Sequence, residues 1–143
     1  MNPTLPEILN GAAVALSTPA PPEAAGDYTA SKIGMVASMC ALAAQEAERG
    51  VAACVAENGA MRALFAGAER YDGALGGRLA KAAAGVDTDF NRSALDATNA
   101  ELRKLLIALH ESAEAASDRD LDHRILKLYR NMAHWRRLEL ARG

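Results

Sequence analysis

The three histidines are the residues of this sequence best suited to bind a metal ion: His110, His123 and His134. His123 and His134 share one side of a predicted helix but lie about 16 Å apart along its axis, so they cannot bind one ion. His110 and Glu114 lie one helical turn apart, a spacing that could supply two ligands. The di-iron pattern of helical bundles needs Glu-x-x-His on two helices, which this sequence lacks. We therefore predict no metal and no cofactor, and leave open whether His110 and Glu114 join a site formed only by the fold.

Neither cysteine has the sequence surroundings of a catalytic nucleophile. Cys40 and Cys54 have no neighbouring histidine or basic cluster, and both fall on one predicted helical face, about 21 Å apart along the axis. They cannot form a disulfide within that helix, so we interpret them as small buried residues in a reducing compartment. The glycine-containing segment 73–77 lacks the preceding strand and following Lys-Ser/Thr of a phosphate-binding loop. With no catalytic arrangement visible, we predict that the protein is not an enzyme.

The most informative polar pattern is a row of basic residues on the last predicted helix, which we call the basic stripe: His123, Lys127, Arg130, His134 and Arg137. They recur at steps of four and three residues, opposite an apolar stripe that ends at Trp135. Such a stripe could bind an acidic protein, an anionic ligand or phosphates. Basic residues also favour the carboxyl end of a helix, where they face solvent, and this alternative stays open. Nucleic acid is disfavoured, because the net charge is −2 and no aromatic residue lies within the stripe.

The composition favours an all-α fold. Half of the 143 residues are hydrophobic but only 4% are aromatic, and alanine supplies much of the apolar fraction. The sequence has no run of about 18 uncharged apolar residues, so we predict no membrane contact. The first residues lack the basic region and apolar block of a signal peptide. We therefore predict one domain over residues 1–143, with a Pro-rich connector at 17–26, in a cytoplasmic protein of bacterial origin.

Charge is distributed unevenly along the chain. In residues 1–60, six acidic residues against two basic ones give −4, whereas six basic residues against one acidic residue give +5 in residues 124–143. The two ends could attract one another within the fold or across a dimer. Alternatively, the basic end could form a face for an acidic partner.

The chain is organised around a long predicted helix over residues 28–68. Small or apolar residues line one face at alternating steps of three and four: Ile33, Val36, Cys40, Ala43, Ala47, Gly50, Cys54, Met61, Leu64 or Phe65, and Ala68. Gly50 and the pair Asn58-Gly59 are its weak points, since glycine destabilises a helix and Asn-Gly favours a turn. Because the small and apolar residues before and after these weak points lie on the same helical face, we favour one continuous helix over two helices in line.

The rest of the chain predicts shorter helices joined by turns. Thr4 and Glu7 form a capping box that begins a helix reaching about residue 16. Further helices are predicted at about 74–84, at 88–116, and from about 121 onwards, separated by breaks near Tyr71–Gly73, Gly85–Thr88 and Ser117–Asp120. Short turns make neighbouring helices antiparallel, so we predict an up-and-down helical bundle of about four main helices.

Two segments carry a family resemblance. Residues 41–50 (ALAAQEAERG) and residues 99–110 (NAELRKLLIALH) with Glu114, after a short helix and a Pro-rich link, resemble small uncharacterised helical bacterial proteins. In that family the genes often neighbour genes for acyl-CoA dehydrogenases and small-molecule kinases. The resemblance implies an all-helical layout and assigns no site residue. The size and layout are also similar to those of flagellar-type export chaperones.

These observations together favour a non-enzymatic helical bundle that binds protein partners, including a second copy of itself. A helix this long extends beyond its shorter neighbours and would expose part of its apolar face, so we predict a homodimer. The alternatives are a binding module for a small molecule or acyl group with a pocket between helices, and an export-chaperone-like protein.

Overall fold

The computed structural model describes residues 3–17, 25–68 and 73–139. These residues contain no strand and form the helices α1 (Leu5–Ser17), α2 (Ala25–Ala66), α3 (Gly73–Ala83), α4 (Arg92–Ala115) and α5 (Arg119–Trp135). The prediction of an all-α helical bundle with one unusually long helix is confirmed. Within the described ranges, no helix combines the length and the apolar character needed to cross a membrane. Most of the predicted Pro-rich connector (18–24) and of the break near Tyr71 (69–72) lies outside the described residues.

α2 is one continuous helix, as predicted. Asn58 does not form a turn, because its side chain is fully buried and hydrogen-bonded to residues outside α2. Gly59 is exposed, and a Cβ at this position would have nothing within 4 Å. The helix therefore tolerates the Asn-Gly pair because tertiary contacts of the asparagine outweigh its local preference for a turn.

Contacts between residues divide the chain into two units, Met1–Gly50 with Arg136–Gly143, and Val51–Trp135. In the first unit, the backbone N–H of Thr4 donates to Oε2 of Glu7 at 2.7 Å, which is one half of the predicted capping box, and the Thr4 hydroxyl donates to the same oxygen at 2.8 Å. These hydrogen bonds, led by the backbone one, lower the pKa of Glu7. α1 packs closely on α2, since a Cβ at Gly11 would lie 3.4 Å from Cε of Met39. The prediction of a single domain stays a prediction.

The second unit contains a hydrophobic core formed by the end of α2, α3, α4 and α5. The core residues are Met61, Leu64, Phe65, Ala68, Leu79, Leu102, Leu105, Leu106, Leu109, Ala113, Leu121, Ile125, Leu128 and Met132. The apolar stripe predicted for the last helix therefore faces the core. Trp135, the last residue of the predicted apolar stripe, is only partly buried at the end of α5.

α4 and α5 are joined by a tight turn at residues 116–118. The backbone nitrogens of Ser117 and Asp118 donate to the carbonyl oxygens of Glu114 and Ala113, so the end of α4 has the bonds of a Schellman motif. Ser117 adopts a left-handed conformation with φ of 53°. Oδ1 of Asp118 accepts from the backbone N–H of Leu121 at 3.2 Å and caps α5, at the break predicted near Ser117–Asp120. The turn places α4 and α5 side by side as antiparallel neighbours.

Candidate ligand-binding site

Two consecutive polar residues of α2, Glu57 and Asn58, are fully buried within the second unit. Nδ2 of Asn99, on α4, donates to Oε2 of Glu57 at 3.0 Å and to Oδ1 of Asn58 at 2.9 Å. Arg103 completes the arrangement from the surface, because its Nη2 lies 3.0 Å from Oε2 of Glu57 and its Nε donates to Oδ1 of Asn99. The buried carboxylate of Glu57 thus has a cationic partner, which offsets part of its desolvation cost.

Asn58 also connects these buried residues to Asp87, which lies in the segment between α3 and α4. Nδ2 of Asn58 lies 3.3 Å from both carboxylate oxygens of Asp87, and Nη2 of Arg62 donates to Oδ1 of Asp87 at 2.7 Å. The hydrogen bond from Arg62 is the main reason that the pKa of Asp87 lies below its usual value. We call Glu57, Asn58, Arg62, Asp87, Asn99 and Arg103 the polar network.

Asp87 and its neighbours also explain where α4 begins. The sequence predicts that this helix begins at residue 88, but α4 begins at Arg92, with Asn91 in the capping position. Asp87 instead accepts hydrogen bonds from Asn58 and Arg62. Oδ1 of Asp89 accepts from the backbone nitrogen of Asn91 at 2.8 Å, which holds the chain in a non-helical conformation before α4.

Arg62 has a buried hydrogen-bond donor without a partner. Its Nε atom is buried and has no acceptor within the part of the chain that the structure describes. Gly85 lies against this atom, since a Cβ at that position would be in van der Waals contact with Nε at 3.7 Å. Buried polar groups are nearly always hydrogen-bonded, so this nitrogen requires an acceptor from outside the described residues, such as an ordered water molecule or a ligand atom.

Arg62 lies in the wall of a cavity of about 620 Å³ within the second unit. We call this cavity the cationic pocket, and its lining residues are Arg62, Arg78, Lys81, Ala82, Gly85, Ala97, Thr98, Glu101, Leu102 and Leu105. Its volume is in the range of small-molecule sites. One part of the wall is apolar and another part carries the charged groups, so the pocket offers two kinds of contact to one ligand.

The charge of the pocket is positive. Glu101 is the one carboxylate among the lining residues that the structure describes, and it forms an ion pair with Lys104 at 2.6 Å, while Arg62 is paired with Asp87. Arg78 and Lys81, one turn apart on α3, have no hydrogen-bond or ion-pair partner among the described residues. Their two charges are therefore uncompensated at the pocket, which favours an anion there.

The basic stripe predicted from the sequence is only partly a feature of α5. His123, Lys127, Arg130 and His134 are exposed positions of this helix. Arg137 lies beyond the end of α5 and pairs with Glu139 at 3.5 Å. The helix does not extend this far, because the backbone N–H and carbonyl oxygen of Glu139 bond to the side-chain amide of Gln45 at 2.9 and 2.7 Å. Whether these five residues bind a partner stays a prediction.

The expectation that both cysteines are buried is wrong for Cys40. Cys54 is fully buried in the second unit, and its sulfur lies 3.8 Å from Oδ1 of Asp96. Cys40 is exposed, as are its α2 neighbours Ala37, Ala41 and Ala44, so this part of the predicted apolar face is not buried. The two thiols therefore differ in access to solvent and reagents.

Sequence reasoning missed the residues of the cationic pocket. Arg62, Arg78 and Lys81 lie on two helices, and Asp87 lies in a segment between helices, so no local spacing connects them. One signal was available for the polar network. Glu57 and Asn58 occupy core positions of the α2 pattern between Cys54 and Met61, and polar residues at core positions require partners.

Comparison of the chain with protein-family models, with curated proteins and with solved structures found no match. The resemblance to small helical bacterial proteins therefore stays a prediction.

Proposed function

We propose that this protein is a binding module for a small anionic ligand with an apolar part, held in the cationic pocket. The observation that carries the proposal is that two uncompensated cations, Arg78 and Lys81, line one cavity together with Arg62, whose buried Nε has no acceptor among the described residues. A carboxylate or phosphate could accept hydrogen bonds from these three side chains. Charge-assisted hydrogen bonds of this type are among the stronger ones in proteins.

The apolar part of the ligand would lie against the aliphatic wall of the pocket. Ala82, Leu102 and Leu105 line this wall, and Leu102 and Leu105 also belong to the hydrophobic core. Burial of apolar ligand surface contributes roughly 25 cal/mol per Å² removed from water, so a short alkyl chain adds usefully to the anionic contacts. The role proposed is binding rather than catalysis.

Isothermal titration calorimetry with octyl phosphate and octanoate tests this proposal, with octyltrimethylammonium as the probe of opposite charge. We expect the two anions to bind and the cation not to bind. The double variant Arg78→Gln/Lys81→Gln should weaken anion binding at least tenfold, since hydrogen bonds to charged groups contribute about 1.5–3 kcal/mol and about 1.4 kcal/mol corresponds to a tenfold change.

The matched control is Lys127→Gln/Arg130→Gln, which removes two exposed cations of the basic stripe and leaves the pocket unchanged. This control should bind octyl phosphate as the unchanged protein does. Equal binding of the anionic and cationic probes, or loss of binding in the control alone, would contradict the proposal.

A second candidate function is self-association through the first unit. Its large hydrophobic side chains that remain exposed are Leu9, Val14, Tyr28, Ile33 and Met35. Monomers seldom expose extended apolar surface, and a second copy of the chain offers the same apolar surface in return. The partner proposed is therefore another copy of this protein.

Sedimentation-equilibrium measurements on two matched variants test self-association. Ile33 in the first unit is 62% exposed and Ile107 in the second unit is 54% exposed, so Ile33→Glu and Ile107→Glu make the same change in equally accessible places. We expect a dimer that only Ile33→Glu dissociates. A monomer mass for the unchanged protein at micromolar concentrations would exclude this function.

A further inference from the structure

Three potential metal ligands converge where α4 approaches α5 in the second unit. Nε2 of His110 lies 2.9 Å from Oδ1 of Asp122 and 3.8 Å from Oε1 of Glu114. One ligand atom from each residue lies within 4.8 Å of the other two. We call His110, Glu114 and Asp122 the histidine–carboxylate cluster. Asp122 adds a potential ligand from a second helix, and the spacing of residues in the sequence could not identify it.

These distances are close to those between the ligands of a bound transition-metal ion. In a tetrahedral zinc site with Zn–N of about 2.0–2.1 Å and Zn–O of about 2.0–2.2 Å, neighbouring ligand atoms lie roughly 3.3–3.4 Å apart. The two distances from Nε2 of His110 lie on either side of this value. Small side-chain rotations would therefore be enough to place all three atoms around one ion.

The charges of the cluster also favour a cation. Neither Glu114 nor Asp122 has a cationic partner other than His110 in the described part of the chain. A single imidazole carries at most one positive charge, whereas a divalent ion balances both carboxylates. The side chain of Glu114 is 66% exposed and that of Asp122 is 36% exposed, so an ion has access from solvent.

The fold holds the cluster in place through regular local structure. His110 and Glu114 lie one turn apart on α4, before the turn that ends this helix. The Schellman bonds and the Asp118 cap fix the start of α5, and Asp122 follows in its first turn. The ligands are therefore supplied by two helices whose relative position is set by a short, hydrogen-bonded turn.

We propose that the histidine–carboxylate cluster binds a divalent first-row transition-metal ion, with water completing its coordination. One imidazole nitrogen and two carboxylate oxygens suit Zn²⁺, Co²⁺ or Mn²⁺, whereas Ca²⁺ and Mg²⁺ are bound by oxygen ligands alone in most protein sites. Three protein ligands leave a coordination position open, as in catalytic rather than structural zinc sites. This proposal is independent of the cationic pocket.

Calorimetric titration of the full-length, untagged protein with Zn²⁺ tests the proposal. A Cys40→Ser background removes the exposed thiol, which would otherwise bind zinc. We expect one ion per chain, and a tenfold or greater loss of affinity in His110→Ala and in Glu114→Gln. Because Glu114 is largely exposed, the second variant should keep its fold, which circular dichroism would verify.

Two matched controls separate the cluster from general binding by surface residues. His123→Ala removes another histidine, and Glu111→Gln removes another exposed carboxylate of α4. Both should bind Zn²⁺ with unchanged affinity, and Co²⁺ should give a visible absorption band that Glu114→Gln weakens. Absence of zinc binding, or equal affinity in Glu114→Gln and Glu111→Gln, would overturn the proposal and leave His110 and Asp122 as an ion pair only.

Discussion

Asp87 is the residue that most directly controls the cationic pocket, because it orients Arg62. The carboxylate accepts from Nη2 of Arg62 at 2.7 Å, and the side chains of both residues are largely buried. This contact uses Nη2 of the guanidinium group and leaves Nε without an acceptor among the described residues. The ion pair thus fixes the orientation of the guanidinium group at the same time as it neutralises most of the charge of Arg62.

We predict that Asp87→Asn lowers the free energy of unfolding by about 2 kcal/mol at pH 7, since a hydrogen bond to a charged group contributes about 1.5–3 kcal/mol. The pKa of Asp87 is lowered in the folded state, so its contribution is fully present above the unfolded pKa of about 3.9 and is lost as pH falls through the folded pKa. Urea unfolding at pH 7 and pH 3 should show a difference between variant and parent that shrinks in acid. A difference of the same size at both pH values would contradict this account.

At the residue scale, the sequence predicts burial better than it predicts polar partners. Ile125 and Met132 fall on the core side of α5 because apolar periodicity alone decides that placement. The contact between His110 and Asp122 depends on the geometry of the turn between two helices, and the pocket depends on three separate segments. Such arrangements leave no spacing signal in a single sequence.

At the element scale, the turn between α4 and α5 carries local strain. Ser117 has a φ of 53°, a region in which a side chain at Cβ costs roughly 1–2 kcal/mol and which glycine enters readily. Glycine is the residue usually found at this position of a Schellman motif. The turn nevertheless forms, because the backbone bonds from Ser117 and Asp118 to α4 require this conformation.

We predict that Ser117→Gly raises the free energy of unfolding by about 0.5–1 kcal/mol, because it relieves the left-handed strain without removing a backbone hydrogen bond. Thermal and urea unfolding would measure the change. The control is Ser112→Gly within α4, where glycine should instead destabilise the helix by several tenths of a kcal/mol. If both substitutions destabilise the protein, the strain assigned to Ser117 is wrong.

The ends of the helices were predicted less well than their existence, because tertiary contacts determine where some helices begin and end. α5 ends at Trp135 because Gln45 bonds to the backbone of Glu139, a contact between residues 94 positions apart in sequence. α4 begins late because Asp87 is bonded to Asn58 and Arg62. Local capping signals succeed at Thr4 and Asp118, where the partner lies within three residues.

At the scale of the whole molecule, burial is distributed unevenly along α2. In residues 26–50, Ala43 and Gly50 are buried, whereas residues 51–66 contain Met61 and Phe65 of the hydrophobic core and the buried pair Glu57-Asn58. Amide hydrogen exchange follows the free energy of local opening, which rises with buried contacts. One continuous helix should therefore show two levels of protection.

We predict that amides of residues 51–66 exchange at least about tenfold more slowly than those of residues 30–45. Hydrogen exchange followed by mass spectrometry would measure this, and the Ile33→Glu variant removes any protection that self-association adds. Uniform protection along α2 in that variant would show that the first unit is held as firmly as the second.

The polar network helps to determine the register in which α2 packs on α4. Asn99 is flanked on α4 by Leu95 and Leu102, one turn to either side. If α2 slid by one turn, about 5.4 Å, the carboxylate of Glu57 would face a leucine and lose its hydrogen bonds, at a cost of several kcal/mol. A helix rich in alanine and glycine offers a smooth surface on which several registers would otherwise be close in energy. The hydrogen bonds of buried Glu57 and Asn58 to Asn99 therefore stabilise one register of α2 on α4 relative to the neighbouring registers.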